Sequence, residues 1–268
     1  MAEESTGPKF AVVTGASSGI GLELARVFAE NGADLLLVAD DEAVHDVASV
    51  LTSEAKGVTA RALQADLATR EGTQEFIAAV FADGRPVDLL ALNAGFANAG
   101  PFLETDLEAD RRVIGLNISS VVESSKRLLP PMVARGSGRV LITSSVAATQ
   151  PGPYYATYAA SKSFLLSFAE AVRYELKDSG VTITALMPGP TDTQFFESSG
   201  MQDTPVYSMP KDDPADVARE AYDAMMKGKD HVVTGSLKAK AMTAASVVLP
   251  QPAKAAAHAS MTKPQDDK

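Results

Sequence analysis

A phenol and an ammonium group stand four residues apart in Tyr158-Ala159-Ala160-Ser161-Lys162. On a helix that spacing puts both side chains on one face. A phenol titrates at about 10 and is a poor base at neutral pH. A cation beside it favours the phenolate and lowers its pKa, and such a pair can pass a proton to and from a substrate oxygen. Ser145, near the end of a strand-like run, has a hydroxyl able to hold that oxygen. Tyr154 and Tyr155 compete for the proton-carrying role, but neither has a lysine four residues on. A surface Tyr/Lys pair has the same spacing, so the pair gains meaning only beside a binding site.

Thr14-Gly15-Ala16-Ser17-Ser18-Gly19-Ile20-Gly21 signals such a site. An apolar run, Phe10-Ala11-Val12-Val13, precedes it, and a helical pattern (Leu22, Leu24, Ala25, Val27, Phe28) follows. This is a strand, a glycine turn and a helix. The turn lets the backbone come close to a ligand because there is no Cβ to clash. It feeds a helix N-terminus, whose free N–H groups and positive dipole end suit a phosphate. A nucleotide diphosphate is the natural ligand. The spacing is Gly-x-x-x-Gly-x-Gly rather than the commoner Gly-x-Gly-x-x-Gly.

The remaining elements must position these groups. Short apolar runs at 34–39, 58–64, 87–92, 138–143, 181–186 and 231–233 read as buried strands. Helical stretches lie between them at 43–55, 70–81, 107–129, 155–177 and 213–227, the fourth strand's helix stopping at Pro130-Pro131. The alternation predicts an α/β fold: one Rossmann-type, doubly wound parallel sheet of about seven strands, with helices on both faces. A domain over 8–243 is followed by a tail over 244–268, in which Val247-Val248-Leu249 is able to dock on the body or on a neighbouring subunit. Ligands bind at the carboxyl ends of such strands, where the glycine turn, Asp40, Asp66, Asn93, Thr143-Ser144-Ser145 and Pro188-Gly189 gather. Residues 191–213 lack a clean period. Their Phe195, Phe196, Met201, Tyr207 and Met209 fit either a lid over a partly apolar substrate or a segment packed on the body.

The 268 residues include no cysteine, so disulfides, thiolate metal sites and a cysteine nucleophile are out. The three histidines, His45, His231 and His258, are far apart and read as surface or loop residues, so no metal is expected. A net charge of −10 opposes a nucleic-acid or anionic-membrane partner. The start, Met1-Ala2-Glu3-Glu4, lacks the apolar core of a signal peptide, and no run approaches a membrane span; a cytoplasmic location is expected.

Thr14 to Gly21, Asp66, Asn93-Ala94-Gly95, Asn117, Ser145, Tyr158, Lys162 and Pro188-Gly189 occur in the order and approximate spacing of the short-chain dehydrogenase/reductase superfamily. The chain resembles its compact single-domain branch over residues 8–235. The resemblance implies an NAD(P)-dependent oxidoreductase interconverting a small-molecule alcohol and carbonyl. It implies that Tyr158 is the general acid/base, that Lys162 lowers its pKa and bonds the nicotinamide ribose, and that Ser145 orients the substrate oxygen. Ser145 is preferred to Ser144 because the family's serine lies thirteen positions before its tyrosine. Asn117 would hold a water in a proton relay; without the resemblance it reads as a solvent-facing helix residue. Cofactor contacts are implied for Gly15, Ser17, Ser18, Gly19, Ile20, Gly21, Asp40, Asp66, Leu67, Asn93, Ala94, Gly95, Tyr158, Lys162, Pro188, Gly189 and Thr193. A homo-dimer or homo-tetramer through the long helices is also implied.

Two departures matter. Leu92 stands where the family often has a first asparagine. Ala39 is followed by Asp40, where many NADP-using relatives have arginine, and Ser18 stands where others have a basic residue. Carboxylates at 40 and 41 repel a 2′-phosphate, whereas a carboxylate accepts from a free ribose 2′-hydroxyl. NAD(H) is favoured and NADP(H) left open, since NAD-specific relatives usually carry their Asp one position earlier. The alternative reading is a non-catalytic nucleotide-binding regulator on the same fold; the intact Asn117, Ser145, Tyr158, Lys162 set speaks against it.

Overall fold

In the computed structural model, which describes residues 8–235 and 250–264, the strands are β1 (Phe10–Thr14), β2 (Asp34–Ala39), β3 (Ala60–Gln64), β4 (Leu89–Leu92), β5 (Gly138–Thr143), β6 (Val181–Pro188) and β7 (His231–Thr234). They form one sheet in the order β3-β2-β1-β4-β5-β6-β7, parallel at every pairing. Helices α1 (Gly19–Glu30), α2 (Ala43–Glu54), α3 (Arg70–Ala82), α4 (Leu107–Ile114), α5 (Ser120–Arg135), α6 (Ala156–Glu175), α7 (Phe195–Ser198) and α8 (Pro214–Met226) connect them.

Side chains alternate across each strand, and the sheet therefore has two cores. Ala11, Val13, Leu35, Leu37 and Leu141 face Leu24 and Phe28 of α1, Val44 of α2 and Val217 of α8. Val12, Leu36, Val38, Leu90 and Ile142 face Phe76 of α3, Leu128 of α5 and Leu165 of α6. Burial on both faces is why β1, β2 and β4 carry continuous apolar runs, Phe10–Val13, Leu35–Ala39 and Leu89–Leu92. The predicted doubly wound sheet is the observed one.

The predicted helix over 107–129 differs in two ways. It is split by one π turn (Gly115–Ser119) between α4 and α5, and α5 runs through Pro130 and Pro131 to Arg135. Two prolines remove two intrahelical donors. Here both lie on the exposed side with Lys126 and Arg127, while Leu128, Leu129 and Met132 are buried. Gly136, in the left-handed conformation (φ 73°), ends the helix instead.

The tail is also more ordered than the sequence suggests. Gln251–Thr262 is a helix, α9, begun by Pro250 and Pro252. The Val247-Val248-Leu249 segment lies outside the described residues.

Candidate active site

The strand order reverses between β1 and β4, which opens a crevice at their carboxyl ends. The glycine turn fills its floor. A Cβ at Gly21 would lie 1.9 Å from the Gly15 carbonyl oxygen, so only glycine lets α1 seat against the turn. Ser18 is the N-cap of α1 and makes no side-chain cap bond, which leaves the first N–H groups of the helix for a phosphate. The Thr14 hydroxyl accepts from the Asn93 and Ala94 N–H groups at 2.9 and 3.0 Å and ties the Asn93-Ala94-Gly95 loop to β1. The Asn93 side chain donates to Thr14 O at 3.2 Å and accepts from the Thr143 hydroxyl at 3.0 Å, joining the ends of β1, β4 and β5. The crevice continues into a cleft of about 650 Å³ that all the predicted cofactor residues line.

Tyr158, Lys162 and Ser145 sit on the walls of this cleft. Tyr158 and Lys162 are one turn apart on α6, both buried. The Lys162 Nζ donates to Thr143 O at 2.9 Å and lies 5.6 Å from the centre of the Tyr158 ring. Burial pulls the lysine down to about 8. Burial also pushes the Tyr158 phenol up to about 12, with the Ser145 hydrogen bond pulling the other way. The expected lowering of the phenol by Lys162 is therefore not what the chain alone produces: the ammonium is over the ring, and desolvation dominates. Ser145 Oγ accepts from Ala147 N at 3.1 Å, which fixes the hydroxyl at the end of β5.

Asn117 lies in the π turn, fully buried, behind the cleft rather than in it. Its Oδ1 accepts from Phe96 N at 2.9 Å. Its Nδ2 donates to Phe96 O at 3.0 Å and to Ser161 Oγ at 2.9 Å. The solvent-facing reading of a mid-helix asparagine is thus wrong here: the side chain clamps the loop after β4 to α6.

At the adenosine end the structure supplies a cation that sequence reasoning missed. Arg112, on α4, donates to Asp40 Oδ2 at 2.8 Å and to Asp66 Oδ2 at 2.7 Å. Its guanidinium lies 5.9 Å from the Phe96 ring centre. Burial raises the Asp66 carboxyl, but the Arg112 and Ala68 hydrogen bonds outweigh that and hold it below its ordinary value. The premise that no cation stands near Asp40 is corrected: the fold brings one from 72 residues away.

At the other end, 191–213 is held at its base by a bridge between Thr191 and Asp212. Phe196 and Met201 are buried, and Thr193 closes on the glycine turn, 2.8 Å from where a Gly19 Cβ would stand. His258, Met261 and Thr262 of α9 complete the lining. His258 is buried, not a surface residue as its isolation in sequence implied. His45 and His231 are exposed, as expected. Among the described residues no cluster of three metal-binding side chains occurs, and no helix is long and apolar enough to cross a membrane.

The residues present fit a dinucleotide: glycines where a Cβ would clash, an uncapped helix N-terminus, and carboxylates at the ends of β2 and β3. Fold and site together define a dinucleotide-binding α/β protein with a buried Tyr/Lys/Ser group over the ligand cleft. The sequence pattern of the short chain dehydrogenases matches residues 9–204. The oxidoreductase UcpA of Salmonella typhimurium is 34% identical over 219 residues, covering 81% of this chain and 80% of that one. "Probable oxidoreductase EphD" of Mycobacterium tuberculosis is 35% identical over 190 residues, covering 70% of this chain but 32% of its own length, so the chain spans about a third of that relative. A short-chain dehydrogenase from Sphingobium yanoikuyae, solved in complex with NADPH, superposes with a TM-score of 0.80 at 27% identity, covering 91% of this chain and 97% of that one. L-sorbose reductase from Gluconobacter frateurii, solved with NADPH and L-sorbose, gives 0.75 at 25% identity, covering 85% and 95%. The chain belongs to the short-chain dehydrogenase family.

Proposed function

We propose that this enzyme interconverts a small-molecule alcohol and its carbonyl, with Tyr158 as the general acid/base. The observation that carries the reading is the convergence of Tyr158, Lys162 and Ser145 on one wall of the dinucleotide cleft, with Asn117 fixing the loop opposite. A bound nicotinamide supplies or accepts the hydride. In reduction, Ser145 holds the carbonyl oxygen and Tyr158 gives its proton to that oxygen as it becomes an alkoxide. In oxidation the phenolate takes the proton back. Lys162, charged at neutral pH and beside the ring, stabilises the phenolate left behind. A phenol raised to about 12 stays protonated at neutral pH, which favours the acid role. Asn117, with both amide N–H groups spent on Phe96 O and Ser161 Oγ and its oxygen accepting from Phe96 N, acts by position.

NAD(H) is the preferred cofactor in this reading, because carboxylates at 40 and 41 would repel a 2′-phosphate and Arg112 is engaged by Asp40 and Asp66. The enzyme is taken as a cytoplasmic homo-dimer or homo-tetramer joined through α5 and α6. Phe164 on α6 is exposed and stacks on Phe168, which supports an apolar contact there. Light scattering giving a monomer mass at micromolar concentration rejects the oligomer.

Calorimetric titration with NADH and NADPH, together with Tyr158→Phe, tests the whole. The phenylalanine variant should bind NADH as the wild type does and lose nearly all turnover, at least about a thousandfold. A variant with near-normal turnover refutes the acid/base assignment, and binding of neither cofactor favours a non-catalytic relative.

A further inference from the structure

An imidazole enters the cleft from the far end of the chain. It belongs to α9, which lies outside the 9–204 stretch shared with the family. One face of α9 carries Lys254, His258 and Thr262, all buried. Thr262 Oγ1 donates to Pro153 O at 2.9 Å, and His258 Nδ1 is 2.9 Å from Pro151 O. Both partners are carbonyls just before α6. The 205–208 turn, which carries Tyr207, packs on α9 from the other side.

The proton positions follow from these partners. A carbonyl only accepts, so His258 Nδ1 carries the hydrogen. Burial holds the imidazole below its ordinary pKa and therefore neutral. Its Nε2 then has only a lone pair to offer, and the group hydrogen-bonded there is the Tyr155 hydroxyl. Tyr155 must donate. Burial also holds Tyr155 well above the ordinary phenol value, so this proton stays on Tyr155 and does not compete with that of Tyr158. With its hydrogen spent, the Tyr155 oxygen can only accept from anything else bound in the cleft. The Tyr155 and Tyr158 rings lie 5.7 Å apart, and both line the same cleft. Phe195, Phe196, Met201 and Met261 make the neighbouring wall apolar.

We propose that α9 is the outer wall of the substrate end and that His258 is a positioning residue. By accepting the hydrogen bond of the Tyr155 hydroxyl it leaves Tyr155 an acceptor that selects alcohols and ketones bearing a second hydroxyl or N–H close to the reacting carbon, on an otherwise apolar body. The selectivity rests on the reading of Tyr158 as acid/base; the His258–Tyr155 polarity does not.

Nitrogen NMR of the labelled full-length chain tests the polarity directly, because His45, His231 and His258 are the three imidazoles and His258→Gln identifies one signal. His258 should be the Nδ1–H tautomer at neutral pH and stay neutral as the pH is lowered through the ordinary imidazole range. Tyr155→Phe should move its Nε2 resonance and raise its titration point. An Nε2–H tautomer, or charging of His258 in the ordinary imidazole range that Tyr155→Phe does not alter, overturns the proposal. The titratable groups near His258 are Tyr155 and Tyr158 on the body, Tyr207 on the packed turn and Lys254 one turn back on α9.

Selectivity is read on phenylethylene glycol and on its analogue with methyl in place of the hydroxymethyl group. Tyr155→Phe should raise KM for the glycol about tenfold more than for the analogue, the worth of one hydrogen bond, with kcat and NADH affinity changing less. Equal effects on both alcohols overturn the selectivity. Turnover of neither by the wild type counts against the acid/base reading on these substrates, and the histidine spectrum still decides the His258–Tyr155 pair.

Discussion

Replacing Asn117 with alanine removes three hydrogen bonds at once and leaves the Phe96 N–H and carbonyl without their side-chain partner. Each bond is worth about 1 kcal/mol net, and the void left by a fully buried side chain adds about 1 kcal/mol, for a total of roughly 4 kcal/mol. In a chain of this size that lowers Tm by roughly 10 °C. Asn117→Asp keeps the volume but turns an acceptor toward the Phe96 carbonyl, so it should cost nearly as much. The assay is urea denaturation of wild type and both variants, with NADH titration alongside. NADH affinity should fall as well, since Gly95 and Phe96 line the cleft. Stability within about 0.5 kcal/mol of wild type for both variants would refute the argument that Asn117 clamps this loop.

Lys162 makes stability depend on pH. Its folded value is about 8 against an ordinary 10.5, so between these values the unfolded chain binds more protons and stability rises with pH, by roughly 3 kcal/mol in all. Tyr158, raised to about 12, opposes the rise only above about 10. Denaturation midpoints of Lys162→Met should lack the rise between pH 8 and 10; superimposable profiles would show that burial of the amine is not felt. Asp40→Ser frees one edge of Arg112 for a 2′-phosphate, so NADPH affinity should rise about tenfold and Arg112→Gln should cancel the gain. An unchanged NADH/NADPH ratio in calorimetry rejects the role of Asp40. Gly21→Ala places a Cβ 1.9 Å from Gly15 O, which must push α1 off the turn. It should cost at least about 2 kcal/mol and abolish NADH binding, and normal binding would show that the helix need not sit so close.

What was legible in the sequence was local. The glycine turn and the Tyr158/Lys162 pair are read from spacings of a few residues, and the strands from uninterrupted apolar runs. Arg112 and His258 were not legible, because their meaning is a contact across the fold: Arg112 reaches Asp40 over 72 residues and His258 reaches Tyr155 over 103. An arginine beside Arg111 on an amphipathic helix looks like any solvated charge until β2 and β3 are seen to end beside it. Pro130-Pro131 misled for another reason. The helix-stop rule assumes that lost donors cannot be spared, but here both prolines lie on the exposed side while Leu128, Leu129 and Met132 hold the helix down. Asn117 was singled out by the resemblance alone; no local pattern announces a π turn.

The Thr14 hydroxyl that tethers Asn93 and Ala94 spans 79 and 80 residues of chain, and β4 pairs directly with β1. During synthesis β1 and its glycine turn therefore leave the ribosome long before the strand that completes the crevice exists. A nascent chain ending before residue 89 has no partner for the inner edge of β1, and the turn has no far wall. Nicotinamide cofactor can stabilise only chains in which this long loop has closed. The cofactor thus acts as a late check on folding, and destabilised variants should be rescued by it only when β1 and β4 still meet.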